Sequence, residues 1–199
     1  MLQGKACIVT GASSGIGLGI SQILAREGAA VIGTGRNEAA LQELKTSKIL
    51  VGYVVADLTQ PGECQRVVEE AVQLLLPRHG EFLTTLINAA GVLEGGAVGN
   101  VDLANYQYNM QINTQVPFEM ITHAIPHLRK NPNKGQASIV NISSVNGKQS
   151  FAGCATYCMS KAALDQLTRC ASVDLAPHGI RVNAVNPGVV ETNLQKAGG

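Results

Sequence analysis

The chain alternates short runs rich in valine and isoleucine with longer stretches of helical period, and this alternation constrains its fold more than any other feature. Ala6 to Thr10, Ala30 to Thr34, Leu50 to Ala56, Thr84 to Asn88, Ser138 to Ile142 and Ile180 to Val185 read as strands. Between them, Gly15 to Glu27 places Ile16, Ile20, Ile23 and Leu24 on one helical face, and Asn37 to Lys45 is also helical. Pro61 to Leu76 aligns Val67, Ala71, Leu74 and Leu75, and Tyr157 to Ala176 aligns Leu164, Leu167 and Ala171. A long helical region from Leu103 to Arg129 is expected to break near Asn113 and to bend at Pro126, because proline removes an internal hydrogen bond. Strands joined through helices must run parallel, so the pattern predicts an α/β protein with a doubly wound parallel sheet. At 199 residues and 45% hydrophobic composition, residues 1–199 are expected to form one domain around a sizeable core.

Charge excludes several classes of partner. The 15 basic and 14 acidic residues leave a net charge of +1, and no basic stretch exceeds Arg129-Lys130, so neither nucleic acid nor an anionic membrane is expected as a partner. No stretch approaches the roughly 18 apolar residues of a membrane helix, and the start lacks a cleavable signal pattern, which predicts a cytoplasmic protein. Cys7, Cys64, Cys154, Cys158 and Cys170 are odd in number and form no Cys-x-x-Cys pair, so they read as reduced, mostly buried thiols without an assigned function. His123 and His127 stand four apart, a spacing compatible with a metal, but no third ligand accompanies them and no metal is expected.

In doubly wound sheets ligands bind beyond the carboxyl ends of the strands, and the notable residues of this chain fall there. Thr10-Gly11-Ala12-Ser13-Ser14-Gly15-Ile16-Gly17 follows the first strand and opens the first helix. Glycines let the backbone turn tightly and approach a phosphate, while the helix amino terminus offers unpaired amides and a positive dipole end. The spacing Gly-x-x-x-Gly-x-Gly differs from the commoner Gly-x-Gly-x-x-Gly, so the loop alone is either a packing turn or a phosphate cradle, and its placement favours the cradle. Thirteen residues beyond Ser144, Tyr157 and Lys161 are four apart and share a helical face. A free tyrosine has a pKa near 10, and an adjacent ammonium is expected to draw it down toward working pH, making the phenol a general acid or base.

Taken together, these motifs resemble those of the classical short-chain dehydrogenases/reductases, of the 3-oxoacyl-carrier-protein reductase and carbonyl reductase kind, from Lys5 to about Leu194. The resemblance rests on Thr10 to Gly17, on Asp57-Leu58 after the third strand, and on Asn88-Ala89-Ala90-Gly91 after the fourth. It rests equally on Asn113 in Ile-Asn-Thr, Ser144 in Asn-Ile-Ser-Ser-Val, Tyr157 with Lys161, and Asn186-Pro187-Gly188-Val189-Val190-Glu191-Thr192 after the sixth strand. It implies a Rossmann-type, three-layer fold that interconverts a carbonyl and a secondary alcohol by hydride transfer. Ser144 would hydrogen-bond the substrate oxygen and Tyr157 would pass the proton. Lys161 would lower the tyrosine pKa and hold the nicotinamide ribose, and Asn113 would anchor a water relaying protons to Lys161. Ser143 is the nearest rival to Ser144, and the family spacing to tyrosine selects Ser144. Cofactor contacts would come from Gly11, Ser13, Ser14, Gly15, Ile16, Gly17, Arg36, Asp57 and Leu58, then from Asn88, Ala89, Ala90 and Gly91. Tyr157, Lys161, Pro187, Gly188, Val190 and Thr192 would complete the set. Family analogy also implies a homo-oligomer, tetramer or dimer, built partly from the Leu103 to Arg129 and Tyr157 to Ala176 helices.

Cofactor choice turns on the end of the second strand. A carboxylate about 20 residues beyond the glycine cluster binds the ribose hydroxyls of NAD, whereas an arginine accepts the extra phosphate of NADP. Here the run is Thr34-Gly35-Arg36-Asn37, with Gly35 at the family's acidic position, so NADP(H) is expected over NAD(H); Ser13 or Ser14 can add a hydroxyl, and Glu38 is the one nearby acid that opposes this choice. Asp57 resembles the residue that bonds the adenine, and a strand-end aspartate is also a common helix cap. The family continues past Thr192 with a substrate-covering helix and a last strand, whereas this sequence stops at Gly199, so an incomplete chain is expected, with a natural short form as the alternative. A protein of this fold that binds the cofactor without catalysis, a sensor or scaffold, is the competing expectation, since fold alone does not prove activity.

Overall fold

The computed structural model describes residues 2–79, 82–131 and 135–191. Its strands are β1 (Ala6–Thr10), β2 (Ala30–Gly35), β3 (Gly52–Val55), β4 (Thr85–Asn88), β5 (Ala137–Ile142) and β6 (Ile180–Val185). Its α-helices are α1 (Gly15–Arg26), α2 (Glu38–Thr46), α3 (Glu63–His79), α4 (Leu103–Met110), α5 (Val116–Leu128) and α6 (Ala155–Leu175). The strands form one six-stranded sheet in the order β3-β2-β1-β4-β5-β6, every neighbouring pair parallel. The winding reverses between β1 and β4, which is where a crevice opens at the strand ends.

Successive residues of a strand point to opposite faces, so each buried strand feeds two cores. Ile8, Ile32, Leu86 and Ile139 pack with Val67 of α3, Met120 of α5 and Ala171 of α6. On the other face Cys7, Val9, Val31 and Ile87 pack with Leu41 of α2 and the apolar side of α1, including Ile16, Ile20 and Leu24. Three layers result, with α1 and α2 on one side and α3, α5 and α6 on the other. Burying a side chain such as Ile8, which has 0% exposure, contributes about 1.5–3 kcal/mol.

The expected elements differ from those observed mainly at their ends. Asn37 is the cap of α2 rather than its first residue, its Oδ1 accepting from the Ala40 amide at 3.1 Å. Helix α6 begins at Ala155, two residues earlier than the sequence pattern indicates, which sets Tyr157 in its first turn. The expected break at Asn113 is instead a π-helical turn, Gln111–Gln115, joining α4 to α5 without interruption. Asn113 is fully buried there, and the wider turn admits its side chain while the backbone stays helical. Pro126 lies inside α5, which continues to Leu128.

Candidate active site

At the amino end of the crevice the backbone is shaped by missing side chains. Gly11 and Gly15 have φ of +66° and +52°, in the left-handed region that favours glycine. A Cβ on Gly17 would lie 2.2 Å from the Gly11 carbonyl oxygen, and one on Gly11 would lie 2.9 Å from Ala90 Cα. These glycines therefore let α1 close down on the loop, and the loop close down on the chain after β4. Ser14 is extended at the cap position of α1 and its side chain makes no capping bond, so it leaves the first amides of the helix uncapped. Thr10 Oγ1 accepts from the amides of both Ala89 and Ala90 at 3.0 Å, fixing the β1 and β4 ends to each other.

A cavity of about 550 Å³ runs from this loop to α6. Gly11, Ser13, Ser14, Gly15 and Ile16 line one part of it, with Arg36, Asp57 and Leu58 beside them. Ala89, Ala90 and Gly91 line its middle, and Ser144, Tyr157, Lys161, Pro187, Gly188 and Val190 also face it. Three of the expected site residues do not line it. Gly17 acts through contact with Gly11, while Asn88 is buried with its Nδ2 donating to Asn141 Oδ1 at 2.8 Å. Asn113 is also buried, its amide hydrogens donated to Val92 O at 2.9 Å and Ser160 Oγ at 3.0 Å. Thr192 lies outside the described residues.

The polar end of the cavity is held by short-range contacts. Ser144 caps a turn of 3-10 helix, Val145–Gly147, its Oγ accepting from the Asn146 amide at 3.1 Å and donating to Asn146 Oδ1 at 3.2 Å. Its rival Ser143 is occupied elsewhere, donating to the Lys161 carbonyl at 3.3 Å. Lys161 Nζ donates to the Ile142 carbonyl at 3.0 Å and lies 5.7 Å from the centre of the Tyr157 ring. Tyrosine and lysine thus share the expected face. The expected pull of the amine on the phenol does not dominate, however, and this corrects the sequence reading: burial raises the Tyr157 pKa above its ordinary value, with the neighbouring Ser144 side chain opposing. Burial also brings Lys161 down to about 8, against the opposing charge of Asp165. Asp165 accepts from Asn186 Nδ2 at 3.0 Å through both oxygens, and the same nitrogen donates to the Ser144 carbonyl at 2.9 Å.

At the far end Arg36 is exposed at the rim of the cavity. A side chain at Gly35 would meet Ser13 Oγ at 3.0 Å, so glycine there keeps the serine close to the arginine. Asp57 Oδ1 accepts from the Thr59 amide at 3.1 Å and hydroxyl at 2.8 Å; these bonds, with the Arg36 charge, lower its pKa. It therefore caps its own turn and faces the cavity as well. The site also includes residues that the sequence patterns did not single out. Val92, Leu93, Asn146 and Phe151 line the cavity, as does Cys154, the cap residue just before α6. The thiols are free, as expected, yet only Cys7 and Cys64 are buried; Cys154 and Cys158 are half-buried and Cys170 exposed. Among the described residues no group of three or more His, Cys, Asp or Glu gathers as a metal site, and no helix is long and apolar enough to cross a membrane.

The short chain dehydrogenase family model matches residues 5–198. The chain belongs to that family. Among relatives of this short-chain dehydrogenase, L-xylulose reductase of Caenorhabditis elegans is 35% identical over 96% of the chain and 73% of that protein. The 3-oxoacyl-[acyl-carrier-protein] reductase of Thermotoga maritima is 34% identical over 97% of the chain and 77% of that protein. A crystal structure of a Caenorhabditis elegans short-chain dehydrogenase/reductase of unknown function with cofactor superposes with a TM-score of 0.86, at 32% identity, over 98% of this chain and 73% of that one. Membership makes the chain an oxidoreductase of the class that interconverts carbonyls and alcohols with a nicotinamide cofactor. The glycine cradle, the uncapped helix amino terminus and the polar pocket at α6 fit such a dinucleotide.

Proposed function

We propose that this short-chain dehydrogenase is an NADP(H)-dependent oxidoreductase in which the Tyr157 hydroxyl gives its proton to the substrate oxygen in reduction and takes it back in oxidation. The observation that carries this reading is one cavity lined by Arg36 toward one end and by Ser144, Tyr157 and Lys161 toward the other. The nicotinamide, when bound, supplies or accepts the hydride; the chain's own residues supply position and the proton. Ser144, which lines the same cavity as Tyr157, orients the substrate oxygen toward the Tyr157 hydroxyl. An ordinary phenol is protonated at neutral pH, the form that carbonyl reduction consumes, and burial acts in the same direction, while the Lys161 ammonium 5.7 Å from the ring centre would favour the phenolate left behind.

The glycine loop and α1 amides hold the pyrophosphate, Asp57 and Leu58 border the adenine, and Arg36 with Ser13 clasps the 2′-phosphate. Ala89, Ala90 and Gly91 form the floor of the crevice, with Asn88 fixed beneath them by Asn141, and Pro187, Gly188 and Val190 border the nicotinamide side, where Thr192 would add a contact to the cofactor. Residues 1–199 act as one cytoplasmic domain. Leu103 and Phe118, 66% and 55% exposed on α4 and α5, and Met159, 53% exposed on α6, support self-association through these helices.

The test is NADPH oxidation followed across a panel of aldehydes, ketones, sugars and 3-oxoacyl thioesters, with wild type beside Tyr157→Phe. Wild-type turnover that falls on the order of 10²- to 10⁴-fold in the variant, with NADPH binding intact, is the expected result. NADPH binding without turnover in either protein would instead support the sensor or scaffold.

A further inference from the structure

Asn105, Asn109 and Asn113 recur every four residues along α4 and the π turn, and their amides engage the same two segments in turn. On one side they hold the extended chain after β4. Asn113 accepts from the Val92 amide at 2.9 Å and donates to the Val92 carbonyl at 2.9 Å. Two residues on, Asn109 accepts from the Glu94 amide at 3.4 Å and donates to its carbonyl at 3.1 Å, and Asn105 donates to Gly95 O at 3.2 Å. On the other side they reach α6. Asn113 donates to Ser160 Oγ at 3.0 Å and Asn109 to Thr156 Oγ1 at 3.1 Å, while Thr156 Oγ1 donates to Asn105 Oδ1 at 2.5 Å. Ser160 and Thr156 immediately precede Lys161 and Tyr157.

The geometry explains the match. Four residues of helix rise about 6 Å and two residues of extended chain about 6.6 Å, so Asn113 and Asn109 can pair with the alternate peptide groups of Val92 and Glu94 as a neighbouring strand would, while Asn105 takes the next carbonyl, that of Gly95. In a regular α-helix each step of four overshoots a full turn by about 40°, and three such residues would fan apart. The π turn at Gln111–Gln115 advances less per residue and offsets that drift. Asn109 and Asn113 both have 0% exposure, so their polar atoms have no water to fall back on.

We propose that the three asparagines act as a single positioning device, a side-chain strand that locks the Val92–Leu93 wall of the cavity in register with the helix carrying Tyr157 and Lys161. Asn105 and Asn109 touch no reacting atom; they act through the placement of the substrate wall against the phenol. This inference rests on the proposed proton transfer by Tyr157, and its test has one arm that does not.

In the first arm, amide hydrogen exchange is compared between wild type and Asn109→Leu. Exchange at Glu94 is expected to quicken at least tenfold while β1 and β5 amides keep their protection. Unchanged exchange at Glu94 overturns the device. In the second arm, steady-state kinetics use NADPH and whichever carbonyl the wild type turns over. A displaced wall is expected to lower kcat/KM for the carbonyl on the order of 10- to 100-fold, with NADPH affinity within about twofold of wild type. Wild-type kcat/KM per folded molecule, or an equal fall in NADPH affinity, overturns the positioning role. A wild type inert toward every carbonyl sinks the reductase reading, and the exchange arm then decides the device alone. Thr156→Val, which removes only the α6 contact and keeps the side-chain shape, replaces Asn109→Leu in both arms if that variant does not fold.

Discussion

At the β1–α1 end of the cavity the shape is set by atoms that are absent, whereas at the α6 end it is set by polar groups that are present and buried. Gly17 has room for no Cβ against the Gly11 carbonyl. Tyr157 and Lys161 are instead buried, with 5% and 4% exposure, Lys161 is held by a hydrogen bond to the Ile142 carbonyl, and burial shifts the titration of both. The contrast separates two kinds of fragility. A steric cradle fails when something is added to it, and its failure is insensitive to pH; a buried polar site fails when a partner is removed, and its energetics change with pH.

The sharpest way to break this contrast is at the cradle. Gly17→Ala places a methyl against a backbone atom that has no flexible side chain to yield, and NADPH affinity is expected to weaken on the order of 100-fold at every pH tested. Fluorescence titration checks it, and wild-type affinity in the variant would show that the loop is not confined. At the other end, Lys161→Met probes the buried charge. Its folded pKa of about 8 lies below the ordinary 10.5, so below pH 8 the amine is protonated in both states and its burial lowers stability. Between the two values the unfolded chain binds a proton that the folded chain has released, and wild-type stability therefore rises with pH across that window. Urea unfolding should find Lys161→Met more stable than wild type by on the order of 2 kcal/mol at pH 7, with the advantage fading toward pH 10. An advantage that does not change with pH would show that the amine is not desolvated. The smallest effect is expected at the exposed rim, where Arg36→Leu should weaken NADPH binding about tenfold and leave NADH within about twofold. Equal losses for both dinucleotides would place Arg36 away from the 2′-phosphate.

Sequence reading succeeded where the determinants are local. The alternation of elements, the glycine loop and the Tyr157–Lys161 spacing follow from strand and helix periods and from residues without side chains, and Asn37 differed only in being the cap of α2. It was less successful where a residue's role depends on what the fold brings to it. Asn113 is expected to break its helix by the family resemblance, yet Val92 and Ser160 satisfy its amide and the helix widens instead. The direction of the Tyr157 shift depends on burial against Lys161 and Ser144, which no spacing along α6 reveals. Asn105 and Asn109 look like ordinary polar surface positions until Glu94 and Thr156 are seen beside them.

The double bond from Thr10 to Ala89 and Ala90 has a mechanical consequence. It rivets the two central strands where the winding changes direction, so the crevice cannot accommodate a bulkier guest by spreading its floor. Any tuning of girth is left to the outer segments after β5 and β6, and a selection for altered substrate size should collect its changes there while sparing Thr10.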